Sequence, residues 1–484
     1  MANRTHPSAD VVVVGAGPGG CSAAVEAARD DRRVVLVEAG DEVGGNAARS
    51  TGYLAFADFA MQHRAAISDG PEAFLADMRA EVERQSDRYG IIFDEQLAAL
   101  YAARSAEAYN FLTDLGIGFR RFIPRPRQHL VDRMVDCEDV RAFTTAFARE
   151  LDRLGVEVRL RTRARQLLTT DGRVTGIVVE DEAGAHTALP AGSVVLAAGG
   201  YQANPELRRR YQPEHLATTP YLGVDTDRGD GHLMGQAVGG DLINMTMIPP
   251  LIMVASAFVE RAIAVDRSGT RFHDEAGPYL ERVDALLARP ERRAHYLYDR
   301  RLAEDAEHLI AQMPEPSVSA DTLEQLAGAI GCDPAGLRKT VEQWNRTVTA
   351  GHDPQFARVV LPADGTGIVE PPFHAVPMSV GINFPAGGFR VTTAMQVIDV
   401  FGAAIPGLYA AGDCVGGVAP AIGLGGIKIA AAVTLGRVAG AAAAGRVHAE
   451  PPDQGAAAAN PAPREDPGMV MDVIDPVTGA ASRS

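Results

Sequence analysis

The sequence predicts an α/β fold, and three runs of one kind predict it: apolar strands that end in glycines. Val11–Val14 leads into Gly15-Ala16-Gly17-Pro18-Gly19-Gly20, Val194–Leu196 into Ala197-Ala198-Gly199-Gly200, and Leu408–Ala410 into Ala411-Gly412-Asp413. Short runs that are apolar on both faces suit a parallel sheet covered on both sides. Glycines at strand ends let a backbone pass close to a bound cofactor. The expectation is a Rossmann-like core assembled from both ends of the chain.

The first loop reads as a dinucleotide fingerprint because of what surrounds it. Gly15 makes the tight turn, Gly17 lets the backbone approach a pyrophosphate, and Gly19 and Gly20 complete the loop, Gly20 permitting close packing. The small-residue helix from Cys21 to Arg29 then places its N-terminus at the phosphates. The next strand, Val34–Val37, ends in Glu38 and Ala39, where an acid accepts hydrogen bonds from a ribose. The distal signature separates FAD from NAD: Asp413 can reach a ribityl chain, and Gly416–Ile429 can approach an isoalloxazine with backbone N–H groups. With one full fingerprint in the chain, a separate NAD(P)H domain is not expected.

Between these motifs, residues 58–115 show the apolar spacing of helices, and Ala142–Leu154 is another amphipathic helix. Gly155–Val179 reads as a hairpin turning at Asp171-Gly172. Leu323–Ile330 and Ala335–Thr349 read as helices, the second started by Pro334. From about residue 446, Pro, Ala, Gly and Asp dominate, so 446–484 is expected to be a disordered tail, with Met469–Val473 as a short docking run.

Composition narrows the function classes. A chain of 484 residues has room for two domains, and a formal charge of −16 argues against nucleic acid as a partner. Arg120–Arg127 is a local basic patch, either a solvated face or a substrate-loop element. Cys21, Cys137, Cys332 and Cys414 form no metal-binding or disulfide pattern, which points to a reducing cytoplasm. No leader pattern stands at the start. The apolar stretch Ile427–Ala444 carries Lys428 and Arg437, so a packed helix is expected there and not a membrane span.

The chain resembles the flavoprotein superfamily of fumarate reductases, succinate dehydrogenases, 3-ketosteroid Δ1-dehydrogenases and tricarballylate dehydrogenases over about residues 8–445. The motifs that carry the resemblance, in order, are Gly44-Gly45-Asn46, Ala197–Tyr201, Gly229–Met234, Gly269–Glu275, Pro371–Ala375, Gly387-Gly388-Phe389 and Pro406–Asp413. It implies an FAD domain (1–247 and 385–445) interrupted by a smaller mobile substrate cap (248–384). It also implies that FAD is held by Gly44, Gly45, Asn46, Ser50, Thr51, Gly52, Ala198, Gly199, Gly200, Asp230, Gly412, Leu424, Gly425 and Ile427, with Ala164 beside the adenine. Covalent members carry a histidine where this chain has Arg49-Ser50-Thr51-Gly52, so the FAD is expected to be noncovalent.

Departures from the family shape the expected substrate. The arginine that grips a dicarboxylate in fumarate reductases is Gly423 here, between Ile422 and Leu424. Two family histidines correspond to Phe384 and to Ile248 before Pro249. Each lost charge-assisted hydrogen bond costs about 1.5–3 kcal/mol, which argues against fumarate, succinate and tricarballylate. The ketosteroid branch matches better: Arg271-Phe272-His273-Asp274-Glu275 is followed by Tyr279 at the spacing of a proton-abstracting tyrosine, and Gly426 corresponds to a glycine whose N–H polarises a ketone. Other family tyrosines are absent, Ile422 standing in place of one. His374 and Arg271 are further acid–base or structural candidates, and Lys428 either stabilises negative charge or reaches solvent. The expected activity is desaturation of a CH–CH bond beside a carbonyl in an apolar, cyclic or polyketide-like small molecule, with an unidentified electron acceptor or donor. The reverse ene-reduction and a redox-neutral isomerase or non-catalytic flavin protein are the alternatives.

Overall fold

The computed structural model describes residues 9–446 except 30, 87–88, 126, 222, 249, 254–257, 259–260, 312, 314, 384 and 419–423, together with 473–474 and 481–482. The central strands are β1 (Ala9–Val14), β2 (Val34–Val37), β3 (Glu157–Arg159), β4 (His186–Leu196), β5 (Gln396–Ile398) and β6 (Ala404–Ala410), with helix α1 (Pro18–Ala28) after β1. Their order across the sheet is β5-β6-β4-β1-β2-β3, parallel throughout except for β5. The three strand-then-glycine runs therefore end on the same edge. Gly15 takes φ +98°, and a Cβ there would stand 2.3 Å from the Ala197 carbonyl oxygen, so two of those runs meet through a contact only glycine allows.

The expected hairpin from Gly155 divides in two. Glu157–Arg159 extends the main sheet beside β2, while Arg163–Thr170 and Arg173–Glu180 form the antiparallel pair, turning at Asp171-Gly172 with both residues at positive φ. The second strand of the pair then joins the first half of β4. The turn is a local signal, whereas the split depends on pairing with β2, far away in sequence.

Between Pro250–Met253 and Ser379–Ile382, which pair with each other, the chain builds a separate four-stranded antiparallel sheet. Its order is Ile263–Val265, His295–Asp299, Phe373–Pro377, Val318–Ala320. One face packs on Leu326, Leu337 and Trp344 of helices Leu323–Ile330 and Pro334–Ala350; the other packs on Val283 and Leu286 of helix α2 (Tyr279–Leu287). Pro334 starts its helix behind Asp333, whose carboxylate accepts from Ala335 and Gly336 N–H.

The late apolar run is helix α3 (Ile427–Ala443), packed on α1. Gly436 lies against the Gly19 backbone and Gly440 against Ala23, where added Cβ atoms would come within 2.3 and 2.1 Å of carbonyl oxygens. Small residues thus bring the two helices together. Among the described residues no helix is long and apolar enough to cross a membrane. Residues 448–484 form a separate unit in which Val473–Ile474 pairs antiparallel with Ala481–Ser482. The rest of the expected docking run, 469–472, lies outside the described residues.

Candidate active site and cofactor cavity

A cavity of about 850 Å³ opens where β1, β2, β4 and β6 end, the edge at which parallel α/β sheets bind ligands. Its floor is mostly backbone. Gly15, Gly17 and Gly19 line it at the start of α1, whose N-cap, Gly17, has no side chain to cap the helix. The first-turn N–H groups and the positive end of the helix are thereby left for an anion. A Cβ on Gly17 would meet nothing within 4 Å, so this residue leaves the cradle open.

Glu38 and Ala39 line the adjoining wall at the end of β2, together with Thr162 and Ala164. The Glu38 carboxylate accepts hydrogen bonds from Ala16 and Gly40 N–H, both at 2.6 Å. A helix N-terminus with a carboxylate beside it fits a dinucleotide's pyrophosphate and ribose. Gly45, Asn46, Ser50, Thr51, Ala198, Gly199, Asp230, Gly412 and Asp413 carry the lining onward. Asp230 is ion-paired with Arg163. Asn46 donates to Asp227 at 2.6 Å and accepts from Val224 N–H at 2.9 Å, while the Tyr221 hydroxyl donates to the same Asp227 oxygen at 2.6 Å. Burial, with Asp413 and Glu38 nearby, pushes the Asp227 carboxyl up to about 7 against those two hydrogen bonds.

Side chains from the second sheet's region also line the cavity: Leu251, Ile252, Met313, Tyr279 and Arg282. Tyr279 is the first residue of α2, and its hydroxyl lies 3.5 Å from where a Cβ on Gly425 would stand. The Leu424-Gly425-Gly426 turn enters α3, with Gly426 at φ +82° as the N-cap and Ile427 and Lys428 lining the cavity on the first turn. Gln128 Oε1 accepts from Gly425 N–H at 3.2 Å, and His129 Nε2 meets the Gly425 carbonyl at 2.9 Å. Burial lowers His129 to about 4, so the ring is neutral at pH 7 and Nε2 carries the hydrogen it donates. Lys428 Nζ donates to the Pro385 carbonyl and, at 3.3 Å, to Asp413.

The family of FAD binding domains matches residues 10–429. The chain belongs to that family. FAD is its cofactor, and the chain is 29% identical to a probable fumarate reductase of Shewanella frigidimarina, over 89% of this chain and 74% of the relative. It is 28% identical to 4-oxocyclohexanecarboxylate 2-dehydrogenase of Sinomonas cyclohexanicum over 98% of both chains. The solved 3-ketosteroid-Δ4-(5α)-dehydrogenase from Rhodococcus jostii superposes with a TM-score of 0.68 at 26% identity, over 91% of this chain and 98% of that one. The protein is thus an FAD-dependent oxidoreductase of the group acting on CH–CH and C=C bonds.

Not every expected residue reaches the cavity. Gly20, Gly44, Gly52 and Gly200 stand behind its wall, packed on the Gly15 carbonyl, Thr144, Val140 with Cys137, and Gln202 respectively. They permit the lining to form without being part of it. Phe384, Pro249, Ile422 and Gly423 lie outside the described residues, and Ile248 is buried away from the lining.

Arg271 and His374, expected as either acid–base or structural residues, do not line the cavity. Arg271 Nε and Nη2 donate to the two oxygens of Glu275 at 2.9 and 2.6 Å, Nη1 donates to Asp353 at 3.1 Å, and the guanidinium lies over Trp344. Arg358 adds a 2.8 Å bond to Glu275, and Ala264 N–H another at 2.9 Å. Burial favours the neutral acid, but the two arginines outweigh it and hold Glu275 down at about 2. This ionic knot anchors the segment leading into α2 and contributes no side chain to the cavity. His374 sits mid-sheet opposite Tyr298, with the two rings stacked at 5.1 Å, also off the cavity.

Sequence reasoning missed Tyr221, Asp227, Arg125 and Arg282, all of which line the cavity. Two signals were available: Arg125 belongs to the basic patch Arg120–Arg127, and Arg282 follows Tyr279 by three residues on a helix, which puts it on the same face.

Proposed function

We propose that the protein desaturates a CH–CH bond beside a carbonyl in a fairly apolar, cyclic or polyketide-like substrate, with noncovalently held FAD. Bound FAD supplies the acceptor for the hydride that leaves the β carbon. Tyr279 holds its phenol oxygen beside the Gly425-Gly426 turn and, as the phenolate, takes the α proton and becomes the neutral phenol. Gly426 presents its N–H to the substrate carbonyl, and Gln128 and His129 keep the turn in place through Gly425. The region 248–384 acts as the cap, with Leu251, Ile252 and Met313 excluding water from the reacting bond.

The observation that carries this reading is the placement of Tyr279 against Gly425, the one side-chain candidate for proton transfer among the expected catalytic residues that lines the cavity. The relative acting on 4-oxocyclohexanecarboxylate supports a cyclic ketone, and the free, buried thiols of Cys21, Cys137, Cys332 and Cys414 support a reducing compartment. The fumarate reductase relative favours a second reading, the reverse ene-reduction in the same site.

One experiment separates them. In anaerobic solution, saturated cyclic ketones should bleach the visible flavin band while succinate does not. Reoxidation of chemically reduced protein by enones, without bleaching by any ketone, would move the assignment to reductase.

A further inference from the structure

We infer that the substrate carries a carboxylate, held by Arg125 and Arg282. The inference rests on the proposed location of the reacting bond beside Tyr279, and it names the other end of the molecule. Both arginines line the cavity, yet they are only 6% and 3% exposed. Neither forms an ion pair with any described residue. Arg125 Nη1 donates to the carbonyl of Pro124 at 2.8 Å, and its guanidinium lies 5.8 Å from the Tyr53 ring centre. Arg282 Nη1 donates to the Glu275 carbonyl at 3.2 Å, its guanidinium lies 4.7 Å from the Tyr279 ring centre with the Tyr296 hydroxyl beside it, and among the described residues no carboxylate pairs with it.

Buried charges in proteins are ordinarily paired, because removing an ion from water costs several kcal/mol unless an opposite charge compensates. The neighbouring arginines obey this rule: Arg271 and Arg358 share Glu275, and Arg271 also reaches Asp353. Arg282 contacts the backbone of the same Glu275 but is left out of the ionic pairing. Two buried guanidinium groups on one cavity, neither paired with a carboxylate among the described residues, form a site for an anion, and Arg presents the planar fork that suits a carboxylate.

The turn that both arginines adjoin lies away from the cradle for the cofactor's diphosphate. Helices α1 and α3 run side by side with Gly436 against Gly19, and the Gly425-Gly426 turn lies before the first residue of α3. At 1.5 Å per residue the turn is roughly 14 Å along the axis from the phosphate cradle at the start of α1. Tyr279 marks the turn's position, and Arg282 lies against Tyr279. Arg125 is tied to the same turn, since its carbonyl accepts from Gln128 and His129 N–H, both at 2.8 Å, and these two residues hold Gly425. The dicarboxylate grip missing from the sequence is replaced by a grip of different origin: one arginine from the loop preceding Gln128 and one from the helix that carries Tyr279.

Benzoate and methyl benzoate test this on the FAD-loaded protein. Neither has a CH–CH unit beside a carbonyl to desaturate, so binding is read without turnover, by calorimetry and by the flavin spectrum. Benzoate should bind about tenfold or more tightly than its ester. Arg282→Gln and Arg125→Gln should each remove about tenfold of benzoate affinity while leaving the ester unchanged, and Arg282→Lys should restore part of the loss. Equal binding of acid and ester, or no benzoate binding, overturns the inference in the unmodified protein, whatever the variants do. A preference for benzoate that survives both substitutions also overturns it, as does loss of FAD from the arginine variants in place of benzoate affinity, which would assign the arginines to the cofactor. Failure of cyclic ketones both with and without a carboxylate to bleach the flavin sinks the desaturase reading alone.

Discussion

The floor and the roof of the cavity are built from different materials. The floor, where α1 and the ends of β1, β4 and β6 meet, is glycine backbone with helix N–H groups left uncapped. The roof, around α2, is long side chains: Tyr279, Arg282, Leu251, Ile252 and Met313. A backbone floor fits what FAD-binding chains share, whereas a side-chain roof can be rebuilt by substitution without disturbing the fold. The difference explains how relatives named for fumarate, for an oxocyclohexanecarboxylate and for a ketosteroid can share one architecture.

The floor should be the more sensitive of the two to a single added side chain. Gly15→Val places a Cβ 2.3 Å from the Ala197 carbonyl oxygen at a φ of +98°, so both the contact and the backbone conformation are lost. The purified variant should contain no flavin, measured by the ratio of visible to ultraviolet absorbance. A variant that keeps its full flavin would show that the floor is more pliant than glycine packing implies.

Next comes the roof. Tyr279→Phe removes one hydroxyl beside Gly425 and should slow flavin bleaching by ketones about 10²–10⁴-fold while flavin content stays normal. Unchanged bleaching would demote Tyr279 to packing and pass proton transfer to another cavity group, with Tyr221 the next to test. Floor and roof would then be separated by two readouts: one mutation empties the protein of flavin and the other leaves it yellow and slow.

The same division decides what could be read from the sequence. The floor was legible because close backbone approach forces glycine at particular positions, and the strand-then-glycine runs announce it. Gly20, Gly44, Gly52 and Gly200 show the limit of that signal, because a glycine required behind a wall looks the same as one required in it. The roof was legible only at Tyr279. Arg271 and His374 carry chemistry-bearing side chains, but one is tied into an ionic knot and the other faces Tyr298 across a strand pair. Arg125 reaches the cavity from a loop remote in sequence, so its role depends on tertiary contacts that no local spacing encodes.

Acid should act on the two regions in opposite directions. Behind the roof, Glu275 is held at about 2 by Arg271 and Arg358, well below the 4.5 of a free glutamate. The unfolded chain binds that proton more readily, so Glu275 contributes its full stability above about pH 4.5 and loses it as pH falls toward 2. Glu275→Gln, which leaves two buried arginines short of their carboxylate, should cost about 3–5 kcal/mol at pH 7 and lose less on acidification than the parent. Thermal melts from pH 3 to 7 measure both.

On the cofactor side, Asp227 slopes the other way. Burial raises its carboxyl from 3.8 to about 7, so between those values the folded chain holds a proton that the unfolded chain has released. Stability contributed by this group is therefore fully present below the unfolded value and declines as pH rises toward 7. Asp227→Asn should flatten that decline in protein stripped of FAD, with little net change near pH 3, where both states of the parent are largely protonated. The test uses the flavin-free form because added ligand would superimpose its own linkage. If the parent and Asp227→Asn melt in parallel from pH 3 to 8, the Tyr221 and Asn46 hydrogen bonds must outweigh burial and keep the carboxylate ionised. Asp227 would then present a fixed negative charge to the cofactor side of the cavity, and its network would serve to orient Asn46 without storing a proton.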